Sequence, residues 1–232
     1  MLCSHNGRTD MARLTLLFIA ILMVTQVTSV HLSFAHFLYE LEGMQWALRQ
    51  HWFTETVMHT GVRHLNSVLV ASLLLLFGRD CIRYGWTPRT QNRGLLILSV
   101  LTSFGLIAYL KTVTQLDCPW DLVEFGGTRP YYGLFQLKPS FIEAGKCFPA
   151  GHASIGFAWI ALYFYWRERK PKRAMIALVT SLTVGFGLGF IQQLRGAHFF
   201  IDDITSAFIA LWVATIFFNI VNRKPSEAKT YA

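Results

Sequence analysis

Charge is nearly absent from the centres of six apolar runs in this 232-residue sequence, at about residues 13–30, 64–82, 94–113, 152–167, 172–191 and 202–221. Ionisable groups gather instead at the ends of the runs. No continuous polar lining crosses them, which argues against a transporter or channel, where charged groups mark a path. The sequence also lacks internal repeats, low-complexity tracts and Pro/Gly/Ser-rich linkers, so residues 1–232 read as one domain. It has no soluble basic face interleaved with exposed aromatics. The net charge of +8 is therefore no sign of nucleic-acid binding.

What the sequence has is hydrophobicity: 53% of residues are hydrophobic, 15% are aromatic, and the mean hydropathy is +0.38. Such a chain is too apolar for an ordinary soluble domain, and the six runs suit a bilayer with about 30 Å of hydrocarbon. The predicted fold is all-α, a polytopic membrane protein of six transmembrane helices. Basic residues alternate by loop. Arg8 and Arg13 precede the first run, Arg79, Arg83, Arg89 and Arg93 follow the second, Arg167, Arg169, Lys170, Lys172 and Arg173 follow the fourth, and Arg223, Lys224 and Lys229 follow the sixth. The positive-inside rule makes that side cytoplasmic. Residues 13–30 have a second reading as a signal peptide, which leaves the later orientation unchanged.

The opposite, outer side has two long connections. Residues 31–63 read as an amphipathic hairpin or interfacial helix, with Trp46 and Trp52 at headgroup level, or as helix packed above the bundle. Residues 114–151 are too long to be a mere link. Lys111, Arg129, Lys138, Lys146 and Arg195 lie on or beside this outer side, which positive-inside topology should deplete of cations. An anionic substrate is the simplest reason; snorkelling anchors are the alternative. His152 opens the fourth run. The N–H groups of Gly151, His152 and Ala153 would form an oxyanion cradle there, with Gly151 allowing close approach. His198 and Asp202 stand at i and i+4, so a carboxylate can orient an imidazole whose other nitrogen is free to attack. Histidines beside Gly, Asp and cations do not suit axial haem ligation.

Three blocks of residues carry a resemblance: Lys111-x6-Cys118-Pro119, Pro149-Ala150-Gly151-His152, and His198-x3-Asp202. They resemble, in order and spacing, the K-x6-R-P, P-S-G-H and S-R-x5-H-x3-D blocks of the type 2 phosphatidic acid phosphatase (PAP2) superfamily of membrane lipid phosphatases. The resemblance covers residues 94–221 and implies a PAP2-like core with an outer-face active site. It implies metal-independent hydrolysis without a cofactor: His198 as nucleophile through a phosphohistidine, Asp202 as its orienter, His152 as acid and base, and Lys111 with Gly151 on the phosphoryl oxygens. Lys146 joins them as a further cation. The implied substrate is a membrane lipid phosphate, such as undecaprenyl diphosphate, lipid A, phosphatidylglycerol phosphate or phosphatidate. The implied location is the periplasmic face of a bacterial inner membrane. A lipid-to-lipid phosphotransferase and a non-catalytic relative are the alternatives, and the oligomeric state stays open.

The sequence departs from the family pattern at Cys118, Ala150, Ile191 and Gln192, and so lacks two of the family's arginines. Arg195 and Arg129 are the candidates to replace them at the phosphate. Cys118 and Cys147 both fall on the outer side, each within or beside a block. A disulfide between them would staple the first block to the second; two free thiols are the alternative.

Overall fold

The computed structural model describes residues 7–221. They are helical throughout apart from connecting loops and one isolated bridge between Leu122 and Arg129. Seven helices follow in order: α1 (Gly7–Thr28), α2 (Val30–Leu41), α3 (Phe53–Tyr84), α4 (Pro88–Thr114), α5 (Ser154–Trp166), α6 (Pro171–Leu194) and α7 (Phe200–Thr215). Wide π-helical turns open α3 over Phe53–Gly61 and extend α7 over Ile216–Val221.

Among the described residues, five helical stretches are long and apolar enough to cross a membrane: Met11–Thr28, Phe53–Tyr84, Pro88–Asp121, Pro171–Leu194 and Phe200–Asn219. Their outward faces carry exposed side chains such as Leu16, Val27, Leu75, Ile82 and Ile176, the pattern of a bundle whose solvent is lipid. The chain is a multi-pass membrane protein. The run predicted at 152–167 is shorter as a helix: Ser154–Trp166, with a tight 3₁₀ turn at Ala158–Ile160. At 1.5 Å per residue it spans roughly 20 Å, less than the bilayer core. It starts late because the chain before it is bound to α7: the Ala150 N–H donates to the Asp202 carbonyl at 3.2 Å, and the Ser206 hydroxyl donates to the Ala150 carbonyl at 2.8 Å.

The core forms where α4, α5, α6 and α7 meet, around Leu96, Val100, Phe157, Ala161, Ala210 and Ala214. Glycine sets the closeness of α5 to α6. A Cβ on Gly156 would lie 2.2 Å from the Gly185 nitrogen, and one on Gly185 would lie 2.3 Å from the Phe157 ring, so neither position admits a larger residue without separating the helices. α1 packs on α7 through Phe18 and Phe208, stacked at 4.0 Å. α4 starts sharply because Pro88 occupies its first turn and Thr87 and Thr90 cap it reciprocally.

The connection read as an outer hairpin consists of α2, a short loop and the first turns of α3. Trp52 is exposed, whereas Trp46 packs at 5.2 Å from the Tyr39 ring and 5.8 Å from Phe125. Trp46 thus belongs to a packed cluster over the bundle, not to an exposed belt.

Candidate active site

At the end of the bundle where α4 finishes and α5 begins, a cavity of about 740 Å³ is lined by His59, Arg63, Lys111, Lys146, Gly151, His152, Gln192 and His198, among others. They come from several stretches of chain. α4 delivers Lys111 in its last turn, and the tight turn after Pro149 delivers Gly151 and His152. The short link between α6 and α7 delivers His198, and the wide opening turn of α3 delivers His59.

His198 and Asp202 meet: Nδ1 lies 3.1 Å from the Asp202 carboxylate, and the Phe199 N–H donates to the same oxygen at 3.0 Å. A carboxylate accepts, which favours the proton on Nδ1, and the ring also meets the Cys147 backbone; the tautomer with Nε2 unprotonated is the one that can attack. Burial pushes the His198 pKa well below its ordinary value, and the nearby Lys111 ammonium adds to that, so the ring is neutral and nucleophilic. His152 Nε2 lies 2.9 Å from the Met58 carbonyl, which can only accept, leaving Nδ1 as the exchanging nitrogen. Burial, with His59, His198 and Arg63 adding, lowers the His152 pKa to about 4.

Lys111 Nζ donates to the Lys146 carbonyl at 2.9 Å, and its side chain lies against Gly151, where an added Cβ would come 3.0 Å from Lys111 Cε. The Lys146 side chain is exposed at the cavity rim. Cys118 and Cys147 are joined as a disulfide with Cα atoms 5.2 Å apart, which ties the start of the long loop to the turn bearing His152. Their sulfurs and an Asp121 oxygen lie within 4.8 Å of one another; the sulfur–sulfur bond uses the thiolates that a metal would need.

The two arginines proposed as phosphate ligands are used otherwise. Arg195 donates through Nε and Nη2 to the Arg49 carbonyl, through Nη2 to Glu55, and through Nη1 to His59 Nδ1 and Gln192 Oε1. A guanidinium has five N–H donors, so none is left for a phosphate. Arg129 is held in the loop by Asp117 at 2.8 Å and by Glu143, with Asp121 at 3.9 Å; these carboxylates, Asp117 foremost, raise its pKa. It lines the cavity as a neutralised staple. Lys138 completes the staple from the other side of Asp117.

His59 was missed, because residues 31–63 read as a surface hairpin. Its ring stacks on that of His152, with centroids 4.4 Å apart and planes at 18°. A signal was present: Glu55, His59, Arg63 and Asn66 recur every three or four residues, a polar stripe on one helix face running into an apolar segment. Of the aromatics on the long outer loop, Phe125 is buried and Tyr131 bonds His31 Nε2 at 2.7 Å. Trp120 lines the cavity under Arg49, and Phe135 is exposed.

A membrane-spanning helical bundle with a neutral His–Asp pair, a second neutral histidine and a lysine around one polar cavity defines a class: a multi-pass protein equipped to take an oxyanion. The family model of the PAP2 superfamily matches residues 93–226, more than half of the sequence, and the chain belongs to that superfamily. Over 103 residues it is 30% identical to the lipid A 4'-phosphatase of Francisella tularensis subsp. novicida (strain U112), a match covering 41% of this chain and 43% of that protein. It thus spans less than half the length of this curated relative. In fold it resembles the crystal structure of the first transmembrane PAP2 type phosphatidylglycerolphosphate phosphatase from Bacillus subtilis, with a TM-score of 0.58 and 19% identity, over 92% of this chain and 98% of that one.

Proposed function

We propose that this protein is a lipid phosphate phosphatase that works without a metal ion, through a phosphohistidine on His198, at the outer leaflet of a bacterial inner membrane. The observation that carries the reading is the His198–Asp202 hydrogen bond on the wall of the cavity that also bears His152. In the first step the His198 Nε2 lone pair attacks phosphorus while the bond to the lipid oxygen breaks. His152, charged by proton uptake in the substrate complex, gives its Nδ1 proton to the leaving oxygen. In the second step neutral His152 takes a proton from water, the resulting hydroxide displaces His198, and phosphate leaves. Asp202 holds His198 Nδ1–H throughout. Lys111 and the Gly151 and His152 amides face the phosphoryl oxygens, each well-aimed donor contributing roughly 10²–10³ in rate.

A lipid substrate is supported by a second cavity of about 780 Å³ between α3, α5 and α6, lined by Leu65, Leu69, Leu73, Trp159, Ile176 and Val184. It shares Asn66 and Ile155 with the catalytic cavity, so a headgroup in one places its apolar tail in the other. α5 serves as the sixth crossing, short because its outer end is folded into the site, and the basic loops hold the other ends in the cytoplasm. The name of the Francisella relative makes the phosphates of lipid A the first candidates, ahead of undecaprenyl diphosphate, phosphatidylglycerol phosphate and phosphatidate. The test is phosphate release from this panel in nanodiscs with EDTA present, beside His198→Ala. We expect turnover on at least one lipid and a loss of at least about 10³-fold in the variant; equal release from both proteins would refute the mechanism.

A further inference from the structure

Asp202 has a second neighbourhood apart from the phosphoryl cavity. A small cavity of about 20 Å³, sharing no lining residue with that one, is walled by Gln26, His31, Asp117, Tyr131, Phe199 and Asp202, among others. Ser29, at φ 53° in the left-handed region, separates α1 from α2 and turns His31 back onto the end of α1. There His31 Nδ1 lies 3.0 Å from the Thr25 carbonyl, which only accepts, so Nδ1 carries the proton. Burial lowers the His31 pKa, so the ring is neutral and Nε2 holds a lone pair. Tyr131 Oη, 2.7 Å from Nε2, is then the donor. Burial, with Asp202 and Glu124 adding, pushes the Tyr131 pKa up to about 12, so the phenol keeps its proton. With that proton given to His31, the Tyr131 oxygen is an acceptor at the cavity wall.

Two links run from this pair to Asp202. The Phe199 ring stands edge-on to His31 at 5.2 Å and to Tyr131 at 6.3 Å, while the Phe199 N–H donates to Asp202 Oδ2 at 3.0 Å. His198 meets the same oxygen at 3.1 Å, so both bonds fall on Oδ2, and Oδ1 is left to accept from the small cavity. A cavity of about 20 Å³ has the volume for one water, whose two protons match the two acceptors, Tyr131 Oη and Asp202 Oδ1. We propose that His31 and Tyr131 position the Asp202 carboxylate from outside the phosphoryl cavity, through their grip on Phe199 and through one water that donates to both oxygens. Both are positioning residues, since neither lines the phosphoryl cavity and each acts through Asp202. This rests on the phosphatase reading above, and it ties α2 and the long outer loop to the reaction although neither residue belongs to the three blocks.

The test is steady-state phosphate release from the best lipid substrate in nanodiscs, with kcat and KM read separately beside a thermal scan. Tyr131→Phe removes the hydroxyl and keeps the ring against Phe199. His31→Gln keeps an acceptor for Tyr131 near the place of Nε2, whereas His31→Asn keeps the donor to Thr25 and falls short of Tyr131. We expect Tyr131→Phe and His31→Asn to lower kcat about 10-fold with KM within about twofold of wild type, and His31→Gln to stay within about threefold of wild-type kcat. The loss belongs to kcat because a loosened carboxylate misaims the nucleophile without touching the bound lipid. Folded Tyr131→Phe with wild-type kcat overturns the proposal, as does a lowered melting temperature or raised KM at unchanged kcat, the mark of a purely structural tyrosine. His31→Gln losing as much kcat as His31→Asn removes His31 from the arrangement. If His31→Asn does not fold, Tyr131→Phe beside His31→Gln decides. Wild type that releases phosphate from no lipid removes the phosphatase reading and this inference with it. Wild-type turnover that His198→Ala abolishes, together with unaltered kcat in Tyr131→Phe, removes this inference alone.

Discussion

At the turn between α3 and α4, the buried carboxylate of Asp80 meets Arg79 at 3.1 Å, Arg89 at 3.9 Å and Arg93, which also donates to the Leu76 carbonyl. At the opposite end of the bundle, Lys111 donates to a backbone carbonyl and lines the cavity together with His152 and His198. His152 and His198 are held neutral by burial. One end has closed its electrostatics on itself and needs nothing further. The other keeps donors and lone pairs directed into a cavity, an arrangement that costs stability until an anion enters. Arg129 and Arg195 sharpen the contrast within the catalytic end itself, since both are bound to carboxylates and serve as scaffold. A cation near an active site is a ligand only when its donors are unspent.

The largest expected effect tests the unspent donors. Lys111→Ala should lower kcat/KM for the best lipid substrate by roughly 10²–10³ while leaving the melting temperature near wild type, because among the described residues the lysine's one hydrogen bond is to the Lys146 carbonyl. Steady-state kinetics beside a thermal scan decide it. Loss of folding with no specific kinetic defect would make Lys111 scaffold too, and would remove the contrast between the two ends.

A smaller effect comes from the neutral histidines. In the unfolded chain His152 takes a proton below its ordinary value of 6.5, whereas in the folded protein it stays neutral down to about 4. Between these values the unfolded state binds more protons, so stability falls as pH falls through this window and is independent of this group above it. The full shift corresponds to about 3 kcal/mol for a group this buried. His198, pushed the same way by burial, adds a loss of the same sign. We expect the melting temperature in detergent to drop between pH 6.5 and 4, and His152→Gln to flatten the part of that drop owed to His152. An unchanged slope in the variant would mean that His152 is solvated, and the cavity more open than its walls suggest.

How much of this was legible beforehand depended on whether the relevant distance ran along one helix or between chain segments. His198 and Asp202 are one helical turn apart, so their spacing already carried the contact. The alternating basic loops and apolar runs likewise gave the order of the helices, because length against bilayer thickness is a local property. The fate of Arg129 was not legible: its partners Asp117 and Glu143 lie 12 and 14 residues away along a loop whose path no periodicity describes. Arg195 is bound to Glu55, 140 residues earlier. That contact requires α3 to begin at Phe53, some ten residues before its apolar run, and the polar stripe of Glu55, His59, Arg63 and Asn66 was the one sign of it. The late start of α5 was hidden for a related reason, since backbone bonds from Ala150 to α7 compete with the helix and leave no mark on hydropathy.

The smallest expected effect on activity is at the closed end. Arg79 and Arg89 side chains are 53% and 61% exposed, so solvent screens their attraction to Asp80, whereas Arg93 is 14% exposed and makes the less screened of the two contacts that join α4 to Asp80 on α3. Asp80→Asn preserves the shape and removes the charge, leaving three guanidiniums around a neutral amide. The consequence should be a lowered melting temperature, partly relieved by adding Arg93→Met, which takes away the least screened of the stranded cations. kcat/KM should stay within about twofold of wild type, because α3 and α4 still reach the catalytic end through the packing of their upper turns. A kinetic loss in Asp80→Asn approaching that of Lys111→Ala would show that the α3–α4 staple sets the position of His59 and Lys111. The two ends of the bundle would then form one coupled device, not a scaffold and a site.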